Sequence, residues 1–303
     1  MDLSILILSY NTEETTLRCL RELDTLASLN PDVRTEVIVV DNASSDGSVE
    51  SLQRFVPAHY PMRLILNTDN VGFSKGNNIA LAQASGTYIL YLNSDVMVFN
   101  TARPLKWSTL LSCFDHDTSL GALTVRVDLA EGSMDPACHR GFPTPWRSFT
   151  YFVGLEQIAA RLPLKQKRIQ KWLGGYHMLH EDVRQEHFVE AGTAAFLLCR
   201  ADVLRKLGGF DEQFFMYGED LDLCRRMYDV GRKIWWTPTF TVTHLKYQSG
   251  LNARDAKTKR RIRWHFYDAM LTFYAKHYAR VYCPCINILT QTVLRIMRWR
   301  FRT

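Results

Sequence analysis

Hydrophobic and polar residues fall in blocks along the first hundred positions. The stretch "LSILILSYN" (3–11) is a continuous apolar run closed by polar residues, the pattern of a strand buried on both faces. Leu17, Leu20 and the stretch from Leu23 to Leu26 then recur at helical spacing among Glu and Arg. "EVIVVDNASSDGS" (36–48) repeats the sequence of strand and polar, glycine-containing loop, and "VESLQRFV" predicts a second helix. "RLILNTDNVGFSKGNNIALAQAS" predicts a third strand, a loop with Gly72 and Gly76, and a third helix, while "YILYLNSDVMVF" (88–99) predicts a fourth strand. Alternation of strand and helix with short links predicts an α/β fold, with a Rossmann-like, mainly parallel central sheet flanked by helices.

In such a sheet every strand-to-helix loop lies at one edge, and ligands bind outside the carboxyl ends of the strands. Four polar clusters converge there: Ser9-Tyr10-Asn11, Asp41-Asn42 through Asp46, Asn70 through Phe73, and Asn93-Ser94-Asp95. A single polar triplet after a strand is an ordinary turn, because Asn, Ser and Asp satisfy local backbone groups. At the opposite edge "NPDVRT" is the comparable cluster, so the asymmetry predicts a ligand site. The loop "SYNTEE" after the first strand matches neither G-x-G-x-x-G nor G-x-x-x-x-G-K-[ST], which argues against a dinucleotide fold and a P-loop.

Composition sets the class. With 303 residues, 47% hydrophobic and 22% charged, the chain can bury a large core and carry appended pieces. The start "MDLSILILSY" lacks the basic flank and cleavage site of a signal peptide, and no window approaches the roughly 18 to 20 apolar residues of a membrane span. Seven cysteines without a regular framework predict a reducing, cytosolic compartment. Cys283 and Cys285 are too isolated to suggest zinc. Towards the end, Trp264, Tyr267, Leu271, Tyr274 and Tyr278 recur at helical spacing. After Pro284 a second helix places Ile286, Leu289, Val293 and Met297 on one side, with Arg295, Arg298, Arg300 and Arg302 crowding its end. Three uses are open to such a basic amphipathic extension: contact with an anionic membrane surface, cover for the core, or a homodimer interface. The net charge of +6 suits anionic lipid or nucleic acid alike, and no nucleic-acid motif supports the second.

Taken together, "SILILSYN", "EVIVVDNASSDGS", "NVGFSKGNN", "YLNSD" and "GGFDEQFFMYGEDLDLCRRMYDVGRKIWWTPTFTVTHL" resemble the family 2 glycosyltransferases of the GT-A fold, in particular their bacterial rhamnosyltransferase-like branch. The resemblance covers roughly residues 1–250. It implies a nucleotide-sugar-binding half over 1–100, an acceptor-binding and catalytic half of the same GT-A domain over 101–250, and a C-terminal helical extension over 251–303. It further implies an inverting, metal-dependent transferase in cell-surface polysaccharide assembly, at the cytoplasmic face of the inner membrane. The donor is then dTDP-rhamnose or a UDP-sugar, and the acceptor a glycan or lipid-linked saccharide. In this family the strand-end triplet is D-x-D or N-x-D; here it is Asn93-x-Asp95. Loss of one carboxylate leaves Asp95 as the metal ligand, and His244 in "FTVTHLK" is the second ligand the resemblance implies. Imidazole, carboxylate and phosphate oxygens suit Mg²⁺ or Mn²⁺.

The acidic pair Glu219-Asp220 opens a predicted helix, where acids are also favoured by the macrodipole. The resemblance assigns the catalytic base to Asp220, with Glu219 orienting acceptor or base and Asp222 in reserve. Donor recognition is expected from Ser9, Tyr10 (packing on a pyrimidine), Asn11, Asp41, Asn42, Gly72 (room for close backbone approach), Phe73, Asn77, Asn78, Asn93 and Ser94. Lys75 is either a phosphate contact or a solvated lysine. Gly192 and Thr193 are expected to line the acceptor pocket, and Trp146 to serve core packing before sugar stacking. Two other classes stay open: a sugar-phosphate nucleotidyltransferase, and a non-catalytic, membrane-associated sugar-nucleotide-binding protein.

Overall fold

The computed structural model describes residues 1–100, 103–163, 166–246 and 256–302. Its first half is a parallel sheet of β1 (Leu3–Ser9), β2 (Thr35–Asp41), β3 (Met62–Leu66) and β4 (Tyr88–Asn93), ordered β3-β2-β1-β4. Every residue of β2 is buried, and β1 is nearly so, which is why both read as unbroken apolar runs. The connections are α1 (Glu13–Ser28), α2 (Ser48–Arg54) and α3 (Phe73–Gln83). Cys19, Leu20, Leu23 and Leu26 form the inner stripe of α1, as the helical spacing predicts. In register, Ser9 pairs with Asp41, so the polar loops after β1 and β2 emerge side by side.

Beyond β4 the chain adds β5 (Val96–Met97), α4 (Trp107–His116), β6 (Leu120–Leu129), α5 (Pro145–Phe152), α6 (Leu155–Ala160), α7 (Lys167–Leu173), β7 (His187–Val189) and β8 (Phe196–Arg200). It ends with α8 (Ala201–Leu207), α9 (Glu219–Asp229), β9 (Lys233–His244), α10 (Ala256–His277) and α11 (Pro284–Trp299). The sheet continues through β8, β6, β9 and β5. Because β8 runs antiparallel to both β4 and β6, and β5 and β7 run antiparallel to β9, the parallel half gives way to a mixed half. Val96 of β5 sits opposite His244 at the end of β9, which brings the loop after β4 beside the last residue of β9.

The C-terminal helices are joined to this core. Of the predicted stripe, Tyr274 and Tyr278 are buried, together with Ile262, Ala269 and Phe273, whereas Trp264, Tyr267 and Leu271 are half-buried. The stripe therefore meets the core at its C-terminal end. Helix α11 rests on α10, with the Tyr274 hydroxyl donating to Asn287 Oδ1 at 2.6 Å, and Leu294 is its buried residue. The boundary expected at 250 lies outside the described residues.

Candidate active site at the carboxyl edge of the sheet

A cleft of about 1500 Å³ opens at the carboxyl ends of the strands. Tyr10, Asn11, Asn42, Gly72, Phe73, Asn93, Ser94, Asp95, Glu219, Asp220 and His244 all line it. Four other expected donor-site residues are absent from its lining: Ser9, Asp41, Asn77 and Asn78. The Ser9 hydroxyl lies 3.2 Å from that of Thr16. Asp41 closes its own turn, accepting from Ser44 N–H at 2.8 Å and from the Ser44 hydroxyl at 2.6 Å. Asn77 donates to the carbonyl of Phe73 within α3, and Asn78 holds the backbone of Phe210 through both ends of its amide. Lys75 is solvent-exposed.

Two cleft-lining residues also build the loops. Asn42 donates to Asn70 Oδ1 and accepts from Asn67 Nδ2 and Val71 N–H, tying the loops after β2 and β3 together. Gly72 has φ +88, and a Cβ there would fall 2.7 Å from both the carbonyl oxygen and the ring of Phe215. The room it leaves is taken by Phe215, whose carbonyl accepts from Phe73 N–H at 2.6 Å and so caps the start of α3.

At the end of β4, Asp95 is buried, and its Oδ1 lies 3.1 Å from His244 Nε2. Asp95 Oδ2 is buried without a hydrogen-bond partner. Asn93 Nδ2 is 3.4 Å from His244 Nε2, so the amide faces the imidazole. The other ring nitrogen, His244 Nδ1, faces Asp135 Oδ2 at 3.5 Å, and Lys246 pairs with the same Asp135 oxygen at 2.9 Å. Burial alone would discharge the imidazolium, but the carboxylates of Asp135 and Asp95 outweigh it and raise the His244 pKa. One orphaned carboxylate oxygen beside one imidazole fits a divalent cation completed by phosphate oxygens. Among the described residues no group of three or more His, Cys, Asp and Glu side chains could hold a metal unaided. Asp135 flanks the other side of the imidazole and lines the same cleft. Nothing in the sequence around Asp135 marks it, apart from Pro136 and a cap to the Ala137 N–H at 3.0 Å.

Across the cleft, the chain enters α9 through Tyr217 (φ 70) and Gly218 (φ 79), both left-handed. This turn sets Glu219 and Asp220 at the helix start, where the macrodipole favours acids. Asp220 accepts from Leu221 N–H at 2.7 Å and from Arg140 Nη2 at 2.8 Å. Arg140 also donates to the carbonyl of Gly192 at 2.6 Å. Burial works against the Arg140 charge, and the Asp220 carboxylate more than offsets it, raising the Arg140 pKa. Glu219 Oε2 is buried without a hydrogen-bond partner. Burial and the neighbouring Asp220 charge push the Glu219 pKa up to about 8. Asp222, held in reserve as a base, points away: it is fully buried between His277 Nε2, Lys276 Nζ and Arg226 Nε, each at 2.7 Å. Burial alone would raise its pKa, but these three groups bring it down to about 2, and it fastens α9 to α10.

Thr193 lines the cleft, whereas Gly192 does not and instead packs against Thr124. Trp146 is no core residue: it is 40% exposed, lies on the cleft wall and stacks on Trp172 with ring centroids 4.9 Å apart.

The mixed α/β sheet gathers strand-end carboxylates at one large cleft, and comparison with known proteins identifies the family. Residues 4–102 match the glycosyl transferase family 2 profile. The chain is 26% identical over 272 residues to the rhamnosyltransferase WbbL of Escherichia coli, covering 86% of this chain and 88% of that one. It is 35% identical over 290 residues to the uncharacterized glycosyltransferase YfnE of Bacillus subtilis, covering 84% and 67%. The mannosyltransferase PcManGT of Pyrobaculum calidifontis, solved with GDP-Man and Mn²⁺, shares the fold at TM-score 0.56 and 16% identity, over 98% of this chain and 69% of that one. The chain belongs to glycosyltransferase family 2, has the GT-A fold, and counts rhamnosyltransferases among its relatives.

Proposed function

We propose that the protein transfers a sugar, with inversion, from dTDP-rhamnose or a UDP-sugar to a hydroxyl of a glycan or lipid-linked saccharide in cell-surface polysaccharide assembly. The observation that carries this reading is the shared cleft: the orphaned oxygen of Asp95 beside His244, with Glu219 and Asp220 lining the same space. Asp95 and His244 would hold Mg²⁺ or Mn²⁺, which would supply positive charge to the donor diphosphate. Tyr10, Asn11, Asn93 and Ser94 line the donor end, while Asp41 and Asn42 shape its loops.

Asp220 takes the proton of the acceptor hydroxyl. The acceptor oxygen then bonds to the anomeric carbon on the face opposite the diphosphate, and the bond from that carbon to the diphosphate oxygen breaks. Arg140 and the Ala194 N–H hold Oδ2 of the Asp220 carboxylate, and Oδ1, which accepts only from the Leu221 N–H, retains a lone pair for the incoming proton. Glu219, shifted towards its neutral form, can donate to an acceptor hydroxyl.

Peripheral contact with an anionic membrane is supported by exposed Ile288, Ile296 and Trp299 on α11 beside its arginines. No helix among the described residues is long and apolar enough to cross a membrane. Binding to anionic vesicles that falls with added salt, and is lost on removal of 284–303 from a still-folded protein, tests this contact. All seven cysteines are free thiols, which supports a cytoplasmic site.

The test of the reaction is a screen of nucleotide sugars with Mn²⁺, scoring release of free nucleoside diphosphate. Asp220→Asn keeps shape but removes the basic oxygen, so kcat should fall about 10² to 10⁴-fold with donor affinity little changed. Transfer by this variant at the wild-type rate would remove Asp220 from the role of base.

A further inference from the structure

His139 and His187 face each other, Nε2 to Nε2 at 2.7 Å, and neither ring lines the cleft. His139, in the segment after β6, is buried, and His187, at the start of β7, is half-buried. Each turns its other ring nitrogen to a backbone carbonyl: His139 Nδ1 lies 3.2 Å from that of His177, and His187 Nδ1 lies 2.9 Å from that of Gln185. A carbonyl oxygen only accepts, so both Nδ1 atoms carry a hydrogen. A neutral imidazole has one N–H, which leaves no donor between the two Nε2 atoms while both rings are neutral. Lone pair would then meet lone pair. A third proton resolves the contact: one ring becomes an imidazolium, and its Nε2–H donates to the other ring. The gap is too short for a metal, since two nitrogens on one tetrahedral zinc, each about 2.0 to 2.1 Å from it, stand about 3.3 Å apart.

His187 is the charged member of the pair. Burial, and after it the His187 charge, push the His139 pKa down to about 4. Asp182 acts electrostatically on His187 and is itself paired with Arg184 at 3.0 Å. Glu186, beside His187, accepts from the hydroxyls of Thr237 and Thr239. On the other side, the His177 ring lies 3.2 Å from Glu156 Oε2 of α6, and Glu181 lines the same small cavity as His139, Glu156 and His177. Trp236 of β9 packs edge-on against His139, with ring centroids 5.1 Å apart.

The pair stands at the root of the Arg140 contact. Arg140 N–H donates to the Ala191 carbonyl at 3.1 Å and its carbonyl accepts from Ala191 N–H at 2.9 Å, while Arg140 Nη2 donates to the Gly192 carbonyl. Residues 187–192 therefore hold, in turn, the His139 ring, the Arg140 backbone and the guanidinium that donates to Asp220. We propose that His139 and His187 share one proton as a positioning pair for the base, fixing the segment from which Arg140 holds Asp220 and loosening it when that proton leaves as pH rises. The role of Asp220 here rests on the transferase reading above, whereas the shared proton does not. Because the folded pair selects its protonated form, its stabilising contribution is present below the unfolded histidine value near 6.5 and is lost as pH rises through the pair's own titration.

The experiment follows isotope-labelled histidine rings and aspartate carboxyl groups of the full chain by NMR. At neutral pH three of the pair's four ring nitrogens should carry a proton, the bare one being His139 Nε2, with signals assigned through His139→Gln and His187→Gln. As pH rises, loss of the third proton should move the Asp220 carboxyl signal with the same midpoint. In His187→Gln the amide N–H still donates to His139 Nε2 and does not titrate, so that movement should vanish from a folded protein. Transfer should follow: wild-type kcat falls about 2- to 30-fold across the midpoint with KM little changed, and His187→Gln lacks the fall. A loss caused by Glu219 would survive in that variant. A bare nitrogen on His187 at neutral pH overturns the proposal, as does an Asp220 signal that stays fixed or moves alike in both proteins. Release of nucleoside diphosphate is scored in parallel. Its absence with every nucleotide sugar counts against the transferase reading, whereas release together with an unmoved Asp220 signal counts against the positioning pair alone.

Discussion

Arg140 and Asp220 form a buried ion pair, Nη2 to Oδ2 at 2.8 Å, with both side chains about nine-tenths covered. Arg140 comes from the segment after β6 and Asp220 from the start of α9, so the pair locks that segment to the helix that carries the proposed base. Removing one partner leaves the other charged and buried. Arg140→Ala is expected to lower stability by about 3 to 5 kcal/mol, measured by urea unfolding, and to cost activity beyond that loss. Unchanged stability would mean that the two groups are solvated separately.

Donor binding should depend on Asp95 and His244 together. Asp95→Ala is expected to abolish the metal-dependent part of nucleotide-sugar affinity, and His244→Ala to weaken it by about tenfold or more. Isothermal titration with and without EDTA checks both. Full donor affinity in EDTA would defeat the assignment.

The Asp222 cluster makes a pH prediction of definite sign. Its carboxyl pKa is depressed to about 2, so its stabilising contribution is present above the unfolded carboxylate range near 4 and is lost as pH falls through about 2. Asp222→Asn should therefore be less stable than wild type at neutral pH, with the gap closing on acidification. Because Asp222 ties α9 to α10 through Lys276 and His277, limited proteolysis should cut this variant first in the C-terminal helices.

Glu219 makes the opposite prediction. With its pKa raised to about 8, its neutral form is favoured in the folded state, and the accompanying stability is present below the unfolded value and lost as pH rises towards 8. Relative to Glu219→Gln, the wild type should lose up to about 1.4 kcal/mol of stability per pH unit within that window. Parallel unfolding curves from pH 5 to 8 would place Glu219 in contact with solvent.

Much of this architecture was legible in residue order. Uninterrupted apolar runs identified β1, β2 and β4, because strands covered on both faces admit no polar alternation. The clustering of polar residues after them located the cleft, because all parallel strands end at one edge. Asp95, His244, Glu219 and Asp220 were identified from motif and resemblance, and all four line that cleft. Tertiary packing alone decided which polar groups line the cleft and which hold the scaffold. Asp41, Asn77 and Asn78 have the right chemistry, yet their polar atoms meet neighbouring backbone or hydroxyl groups. Arg140 and Asp135 left no local signal, since an ion pair between distant segments has no period in the sequence. The stripe of α11 shows the same division: helical spacing requires that an apolar face meet something, and only the packing of α11 on α10 turned it towards the cleft.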